Sequence, residues 1–92
     1  MSQFTLQSGS LYCEDVSLAD IAAKHGTPTY VYSATSIDAA FQEYQTALHG
    51  RPHLICYAVK ANSNLAILNR LAGLGAGFDV VSGGELERVI RA

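Results

Sequence analysis

Apolar side chains recur along the chain in two patterns. Apolar residues three or four positions apart, bounded by capping residues or glycines, indicate amphipathic helices. Short apolar runs between turn residues indicate strands. The patterns predict helices over 17–25, 35–48, 63–74 and 84–92, and strands over 29–32, 54–60 and 78–82. Residues 3–14 are rich in turn formers around Gly9 and are typical of weak strands at a sheet edge.

The second half of the chain alternates strand, helix, strand and helix, with short loops. This alternation favours parallel strands joined by crossover helices, as in α/β proteins. The last helix begins an apolar face at Leu86 and Ile90, yet the sequence stops at Ala92 without a capping residue. Two parallel strands alone leave open edges and uncovered apolar faces. We therefore interpret the chain as the front piece of a larger α/β protein; the alternative is a complete small domain.

Net charge and the length of the apolar runs argue against several classes of protein. The 92 residues carry a net charge of -2, so no basic surface is expected to attract nucleic acid or an anionic membrane. The longest apolar run, 54–59, is too short to span a bilayer, and the amino terminus lacks the features of a signal peptide. We expect a cytoplasmic protein.

The cysteines and histidines show no metal-ligand spacing, so no metal site is expected. Cys13 and Cys56 form no C-x-x-C pair. Cys56 lies in an apolar strand, which predicts a small buried thiol in a reducing compartment. The histidines flank helix ends and a loop, where solvated positions are expected. Tyr30 and Tyr32 have the composition of strand packing.

Lys60 is the most informative residue, because it ends an apolar strand. Lysine rarely ends a buried strand, since its ammonium must reach water, pair or lose its charge. At the carboxyl end of a parallel strand, where α/β folds place their chemistry, Lys60 is a candidate nucleophilic amine. Ala58 shares its strand face and leaves room for a planar ring beside the amine. The alternative is that Lys60 only extends its charge into water.

Two carboxylates follow around the next strand. Asp79 lies among apolar residues, where an unpaired carboxylate is costly, so Lys60 is its expected partner or near neighbour. A structural ion pair or a hydrogen bond to backbone explains Asp79 equally well. Glu85 completes the capping box Ser-Gly-Gly-Glu over 82–85, and this helix start is a sufficient structural explanation for it.

Two motifs together carry a family resemblance. Tyr-Ala-Val-Lys-Ala-Asn over 57–62 and Gly-Phe-Asp-Val-Val-Ser-Gly-Gly-Glu-Leu-Glu-Arg over 77–88 resemble the amino-terminal part of the diaminopimelate decarboxylase family. That family belongs to the alanine-racemase-like, fold-type III class of pyridoxal-phosphate enzymes. The resemblance extends to Gly-Thr-Pro-Thr-Tyr-Val-Tyr over 26–32 and covers most of the chain from about Leu18. Alanine racemases share Lys-Ala-Asn but continue with a Tyr-Gly run, which is absent here.

The resemblance implies a fold. In this family the catalytic domain is a (β/α)8 TIM barrel, so residues 34–92 would form its first, truncated βα units. Residues 1–33 would be an amino-terminal segment that contributes to a β-rich second domain and to the entry of the barrel. The family's phosphate-binding glycines and substrate-binding residues come after Ala92, so the chain alone is expected to be an inactive fragment.

The resemblance also implies a site and an activity. It places Lys60 on the Schiff-base lysine for pyridoxal 5'-phosphate, Ala58 beside the cofactor ring, Asp79 on an active-site aspartate and Glu85 near the same pocket. The implied reaction of the full-length protein, a homodimer, is decarboxylation of meso-2,6-diaminopimelate to L-lysine. The alternatives are a related ornithine- or arginine-type decarboxylase, and a non-catalytic pyridoxal-phosphate barrel protein, which lacks the Ser-Gly-Gly-Glu segment.

Overall fold

The computed structural model describes residues 2–92, which form two compact units, one ending at Ala40 and the other spanning Phe41–Ala92. The strands are β1 (Phe4–Gln7), β2 (Ser10–Cys13), β3 (Val16–Ser17), β4 (Cys56–Ala58) and β5 (Gly77–Asp79). The helices are α1 (Leu18–His25), α2 (Ala34–Ala47), α3 (Leu65–Gly73) and α4 (Gly83–Arg91), with a 3₁₀ turn over Val59–Ala61. Each predicted helix is confirmed, with its ends shifted by at most two residues.

The first unit begins with an antiparallel hairpin. β1 pairs with β2, so that Gln7 lies opposite Ser10, and β2 pairs in turn with β3. The hairpin turn requires left-handed backbone at Ser8 (φ 53°) and Gly9 (φ 81°), a conformation that glycine adopts without steric cost. Every residue of β1 is exposed, which confirms the prediction of a weak edge strand there, whereas β2 lies between β1 and β3.

Helix α1 follows with the predicted caps. The Ser17 hydroxyl accepts a hydrogen bond from the Asp20 amide at 3.3 Å, which satisfies one of the unpaired amides of the first turn. Gly26 ends the helix with φ 81°, and its amide donates to the Ala22 carbonyl at 2.8 Å. Both ends of α1 are therefore specified by residues adjacent in sequence.

Glu14 holds the start of α2. One of its carboxylate oxygens accepts from the Ser33 hydroxyl at 2.8 Å, and the other accepts from the Thr35 hydroxyl at 2.7 Å. The Thr35 amide adds a longer hydrogen bond to the first oxygen at 3.4 Å. A negative charge at this end of a helix is stabilised by the unpaired amides and the helix dipole. Glu14 therefore ties the hairpin segment to α2.

Residues 29–32 form no strand, although their composition predicts one. Tyr30 is 87% exposed and Tyr32 is 51% exposed, and their rings stack on each other with centroids 6.5 Å apart. The prediction that these tyrosines pack within a sheet is therefore wrong. A strand needs a partner for its amides and carbonyls, and none of the strands described in residues 2–92 pairs with this segment.

The second unit contains the parallel pair that the sequence predicts. β4 and β5 run parallel, with Cys56 opposite Gly77 and Ala58 opposite Asp79. Both strands are shorter than expected, because pairing covers only three residues on each. Cys56 is exposed, so the prediction of a buried thiol there is wrong, whereas Cys13 is buried. Leu54, which is predicted to belong to the strand, lies before β4 and is 69% exposed.

The core of the second unit is formed by residues of α2, the 3₁₀ turn and α3, and it includes Phe41. Val59 and Leu68 have no exposed surface, and Leu71 is also buried. The Tyr57 and Phe78 rings of the two strands meet edge to face, with their centroids 6.4 Å apart, which is a favourable aromatic geometry.

Among the helices described in residues 2–92, none is both long and apolar enough to cross a membrane.

We predict that Glu14→Gln lowers the free energy of unfolding by about 1–2 kcal/mol, because it weakens charge-assisted hydrogen bonds to the start of α2. Urea denaturation of the protein that carries this chain measures the effect. Asp15→Asn, at the exposed neighbouring position, is the matched control and leaves stability unchanged. Equal stability of the two variants would show that Glu14 does not hold α2.

Candidate functional site

Lys60 lies in the 3₁₀ turn Val59–Ala61 rather than in a strand. The predicted strand ends two residues earlier because the pairing with β5 stops at Ala58. Val59 is completely buried, whereas Lys60 is exposed. The buried valine thus anchors the turn, and the next side chain extends toward solvent. We call residues 59–64 the lysine turn.

Two asparagine side chains close the end of the lysine turn and cap the start of α3. The Asn62 side-chain oxygen accepts from the Asn64 amide at 3.0 Å, and the Asn64 side-chain oxygen accepts from the Ala66 amide at 2.9 Å. Such local bonds are the usual reason that asparagine closes turns and caps helices. The cap is therefore Asn64, and the helix starts later than the predicted Ser63.

Two side chains from other elements also reach the lysine turn. The Tyr57 hydroxyl donates to the Asn62 carbonyl at 2.9 Å. The Arg88 Nε–H of α4 donates to the Ser63 carbonyl at 2.9 Å. The sequence reasoning missed both contacts. Both residues stand in the two motifs, but no local spacing indicates which carbonyl each one reaches.

Asp79 lies at the end of β5, opposite Ala58 in the strand register. Its side chain is exposed, as is that of Lys60. No ion pair joins these two side chains in the part of the chain that the structure describes. Lys60 and Asp79 therefore belong to the same end of the parallel pair as neighbours along the strands, and the expected ion pair is absent.

Glu85 takes part in the start of α4. The Ser82 hydroxyl accepts from the Glu85 amide at 3.1 Å, as in the predicted capping box. The Glu85 carboxylate accepts from the Val81 amide at 2.9 Å, one residue before the cap. The structural explanation of Glu85 is thus confirmed, with a shift of one residue in the reciprocal bond.

The histidines and cysteines are the remaining residues that could carry chemistry. His25, His49 and His53 are exposed, as predicted. Within residues 2–92, no group of three or more histidine, cysteine, aspartate or glutamate side chains is placed to hold a metal ion. An open groove of about 340 Å³ occurs in the first unit, lined by residues that include Cys13 and Ile21, and none of the four candidate site residues lines it.

The site offers a primary amine for reaction with a carbonyl carbon. Lys60 is exposed and makes no ion pair among the described residues, so no carboxylate competes for its amine. Ala58 leaves little side-chain bulk at the strand end, and Asp79 adds a negative charge opposite it. An amine, an adjacent small residue and a nearby carboxylate suit a planar aldehyde that is held covalently.

Comparisons with known proteins point to one family. Residues 34–92 match the family model for the pyridoxal binding domain of pyridoxal-dependent decarboxylases. The diaminopimelate decarboxylase of Pseudomonas fluorescens is 59% identical over 92 residues, which is 100% of this chain and 22% of the relative. That of Vibrio cholerae is 54% identical over 93 residues, again covering 100% of this chain and 22% of the relative.

Solved structures give the same result. The diaminopimelate decarboxylase from M. jannaschii in complex with L-lysine matches with a TM-score of 0.91 and 37% identity, over 97% of this chain and 22% of that one. The enzyme from Helicobacter pylori complexed with L-lysine matches with a TM-score of 0.74 and 48% identity, over 79% of this chain and 18% of that one.

These matches confirm the resemblance to diaminopimelate decarboxylases that the two motifs predict. The chain spans 22% of the length of the curated relatives described above. The matched family region begins at the first residue of α2 and includes Ala58, Lys60, Asp79 and Glu85. The chain belongs to the pyridoxal-binding domain family of pyridoxal-dependent decarboxylases.

Proposed function

We propose that this chain is the amino-terminal part of a cytoplasmic enzyme that converts meso-2,6-diaminopimelate into L-lysine and carbon dioxide. The observation that carries the proposal is the exposed amine of Lys60, which makes no ion pair within residues 2–92 and lies just after a parallel strand. The chain that presents this amine is 59% identical to a diaminopimelate decarboxylase. Because the chain spans 22% of that relative, the activity is proposed for the whole protein that carries it.

The domain arrangement forms part of the proposal. Residues 34–92 would be the first βα units of a (β/α)8 barrel, and the parallel β4–β5 pair with α3 between its strands supports this. Residues 1–33 would contribute to a β-rich second domain, which agrees with the antiparallel strands β1 to β3.

Lys60 would hold pyridoxal 5'-phosphate covalently through the aldehyde carbon of the cofactor. Its exposed amine suits this role, and the small Ala58 side chain would lie beside the ring. When bound, pyridoxal phosphate withdraws the electron pair that carbon dioxide leaves on the substrate Cα. The chain's own contribution is to present one amine in a fixed orientation at the end of two parallel strands.

The two carboxylates would contribute in different ways. Asp79 is exposed at the end of β5, where its negative charge would attract a cationic group of the cofactor or substrate. Glu85 accepts a hydrogen bond from the Val81 amide at the start of α4, so it would support the pocket by fixing that helix. Direct contact with the cofactor is proposed for Lys60, Ala58 and Asp79.

A small amino acid is the proposed substrate, and a homodimer is the proposed assembly. Two structurally similar diaminopimelate decarboxylases were solved with L-lysine bound, which is the product of the proposed reaction. No nucleic acid or membrane partner is proposed. The 92-residue chain alone is proposed to be inactive, because it spans only 22% of the length of a related diaminopimelate decarboxylase.

The whole protein loaded with pyridoxal phosphate should release carbon dioxide from meso-diaminopimelate and form L-lysine. We expect kcat/KM for ornithine and arginine to be lower by roughly 100-fold or more, because a site built for a second carboxylate leaves polar groups unpaired with these substrates. A preference for ornithine or arginine would support the alternative decarboxylase. Bound cofactor without release of carbon dioxide from any of the three would support the non-catalytic carrier.

Lys60→Ala should abolish covalent attachment of the cofactor and lower kcat on the order of a thousandfold, because the reacting group is no longer held in place. The visible absorbance of the lysine-bound cofactor and mapping after borohydride reduction measure the attachment. Lys24 is the only other lysine in the sequence and lies in the last turn of α1, so Lys24→Ala is the matched control. Cofactor trapped on Lys24, or full turnover by Lys60→Ala, would refute the assignment.

A further inference from the structure

Two side chains hold consecutive carbonyl groups of the lysine turn. The Tyr57 hydroxyl donates to the Asn62 carbonyl and the Arg88 Nε–H donates to the Ser63 carbonyl, each at 2.9 Å. We propose that Tyr57 and Arg88 are positioning residues, which fix the orientation of Lys60 for attachment of the cofactor. The inference rests on the proposed function of Lys60 and adds to it two residues that act through the backbone.

The Lys60 side chain needs this support from the backbone. It is exposed and forms no ion pair among the described residues, so no side-chain partner sets its direction. Asn62 and Ser63 lie between the 3₁₀ turn and α3, outside both elements. Hydrogen bonds from β4 and α4 to their carbonyls therefore restrain a segment that regular secondary structure leaves unrestrained.

Both donors are themselves held in place. The Tyr57 ring is partly buried and meets the Phe78 ring of β5 edge to face, at an interplanar angle of 86°. Arg88 is exposed, but it belongs to α4, whose start is fixed by the Ser82 and Glu85 side chains. β4 and α4 therefore each supply one hydrogen bond to the backbone of the lysine turn.

The two contacts are expected to differ in strength. Tyr57 donates in a partly buried environment, where a hydrogen bond competes less with water. The Arg88 bond is exposed, so water competes with it, although its donor is charged. Because both bonds restrain one short segment, we expect the effects of removing them to be coupled rather than independent.

The test uses the whole protein with Tyr57→Phe, Arg88→Gln and the double variant. The measurement is the rate at which added pyridoxal phosphate becomes attached to Lys60 in the cofactor-free protein, followed by visible absorbance. A displaced reacting group slows reaction steeply, so we expect each single variant to attach the cofactor about tenfold more slowly. We expect KM for meso-diaminopimelate to change much less than kcat.

Matched variants separate positioning from a merely structural role. Tyr57→Phe retains the ring that contacts Phe78 and removes the hydroxyl that donates to the Asn62 carbonyl. Arg91→Gln lies on the same helix and removes an arginine that pairs with Glu87 at 2.8 Å on the surface, so its attachment rate should equal that of the wild type. Arg88→Lys retains a charged donor and should recover part of the lost rate.

The outcomes distinguish this inference from the proposed function. A wild-type protein in which reduction traps no cofactor on Lys60 would refute the proposed function, and the positioning inference with it. Attachment to wild-type Lys60, combined with wild-type rates in Tyr57→Phe and Arg88→Gln, would overturn the positioning inference alone. If Arg88→Gln does not fold, the rate of cofactor attachment in Tyr57→Phe decides the question. If attachment is slowed as much in Arg91→Gln as in Arg88→Gln, the inference is also overturned.

Discussion

The short parallel pairing of β4 with β5 determines where the chemistry of this chain lies. Because the two strands run in the same direction, their carboxyl ends meet at one edge, with Ala58 opposite Asp79. The lysine turn follows one strand, and the cap of α4 follows the other after a short loop. Gly77 leaves room beside its partner in the register, since a Cβ there would lie 2.9 Å from the Cys56 Sγ and would require that side chain to shift.

The lysine turn combines a buried anchor with an exposed reactive group. Val59 is completely buried, and Lys60 beside it is exposed. The first residue of the 3₁₀ turn therefore lies in the core, and the next residue presents its amine to solvent. Contacts to the backbone then restrain the turn without occupying the amine. The amine of Lys60 therefore stays available for covalent chemistry, while the backbone of the lysine turn is restrained by the buried Val59 side chain and by hydrogen bonds to its carbonyls.

Features specified by adjacent residues could be predicted from the sequence. Ser17 and Ser82 cap the first turns of α1 and α4, and each hydroxyl accepts a hydrogen bond from the amide three residues later. Because the two partners are so close in sequence, these capping patterns can be recognised from the sequence alone. The sequence predicts Lys60 as the last residue of the strand over 54–60, whereas Lys60 lies in a 3₁₀ turn two residues after the end of β4. Its role as cofactor lysine stays a prediction.

Features that depend on distant partners could not be predicted. The ends of β4 and β5 depend on how far the two strands pair, and the apolar composition of residues 54–60 does not encode that length. Residues 29–32 have strand composition but no paired strand among those described. The Arg88–Ser63 and Glu14–Thr35 hydrogen bonds join positions far apart in sequence, so no local pattern announces them.

The uneven burial of the chain has a consequence for its local opening. Val59 and Leu68, with no exposed surface, lie on either side of Lys60 in the sequence, whereas every residue of β1 is exposed. Backbone segments with many buried apolar contacts open rarely, and exposed edge strands open readily. Local opening is therefore expected to be rarer around Val59, the buried anchor of the lysine turn, than in the exposed strand β1.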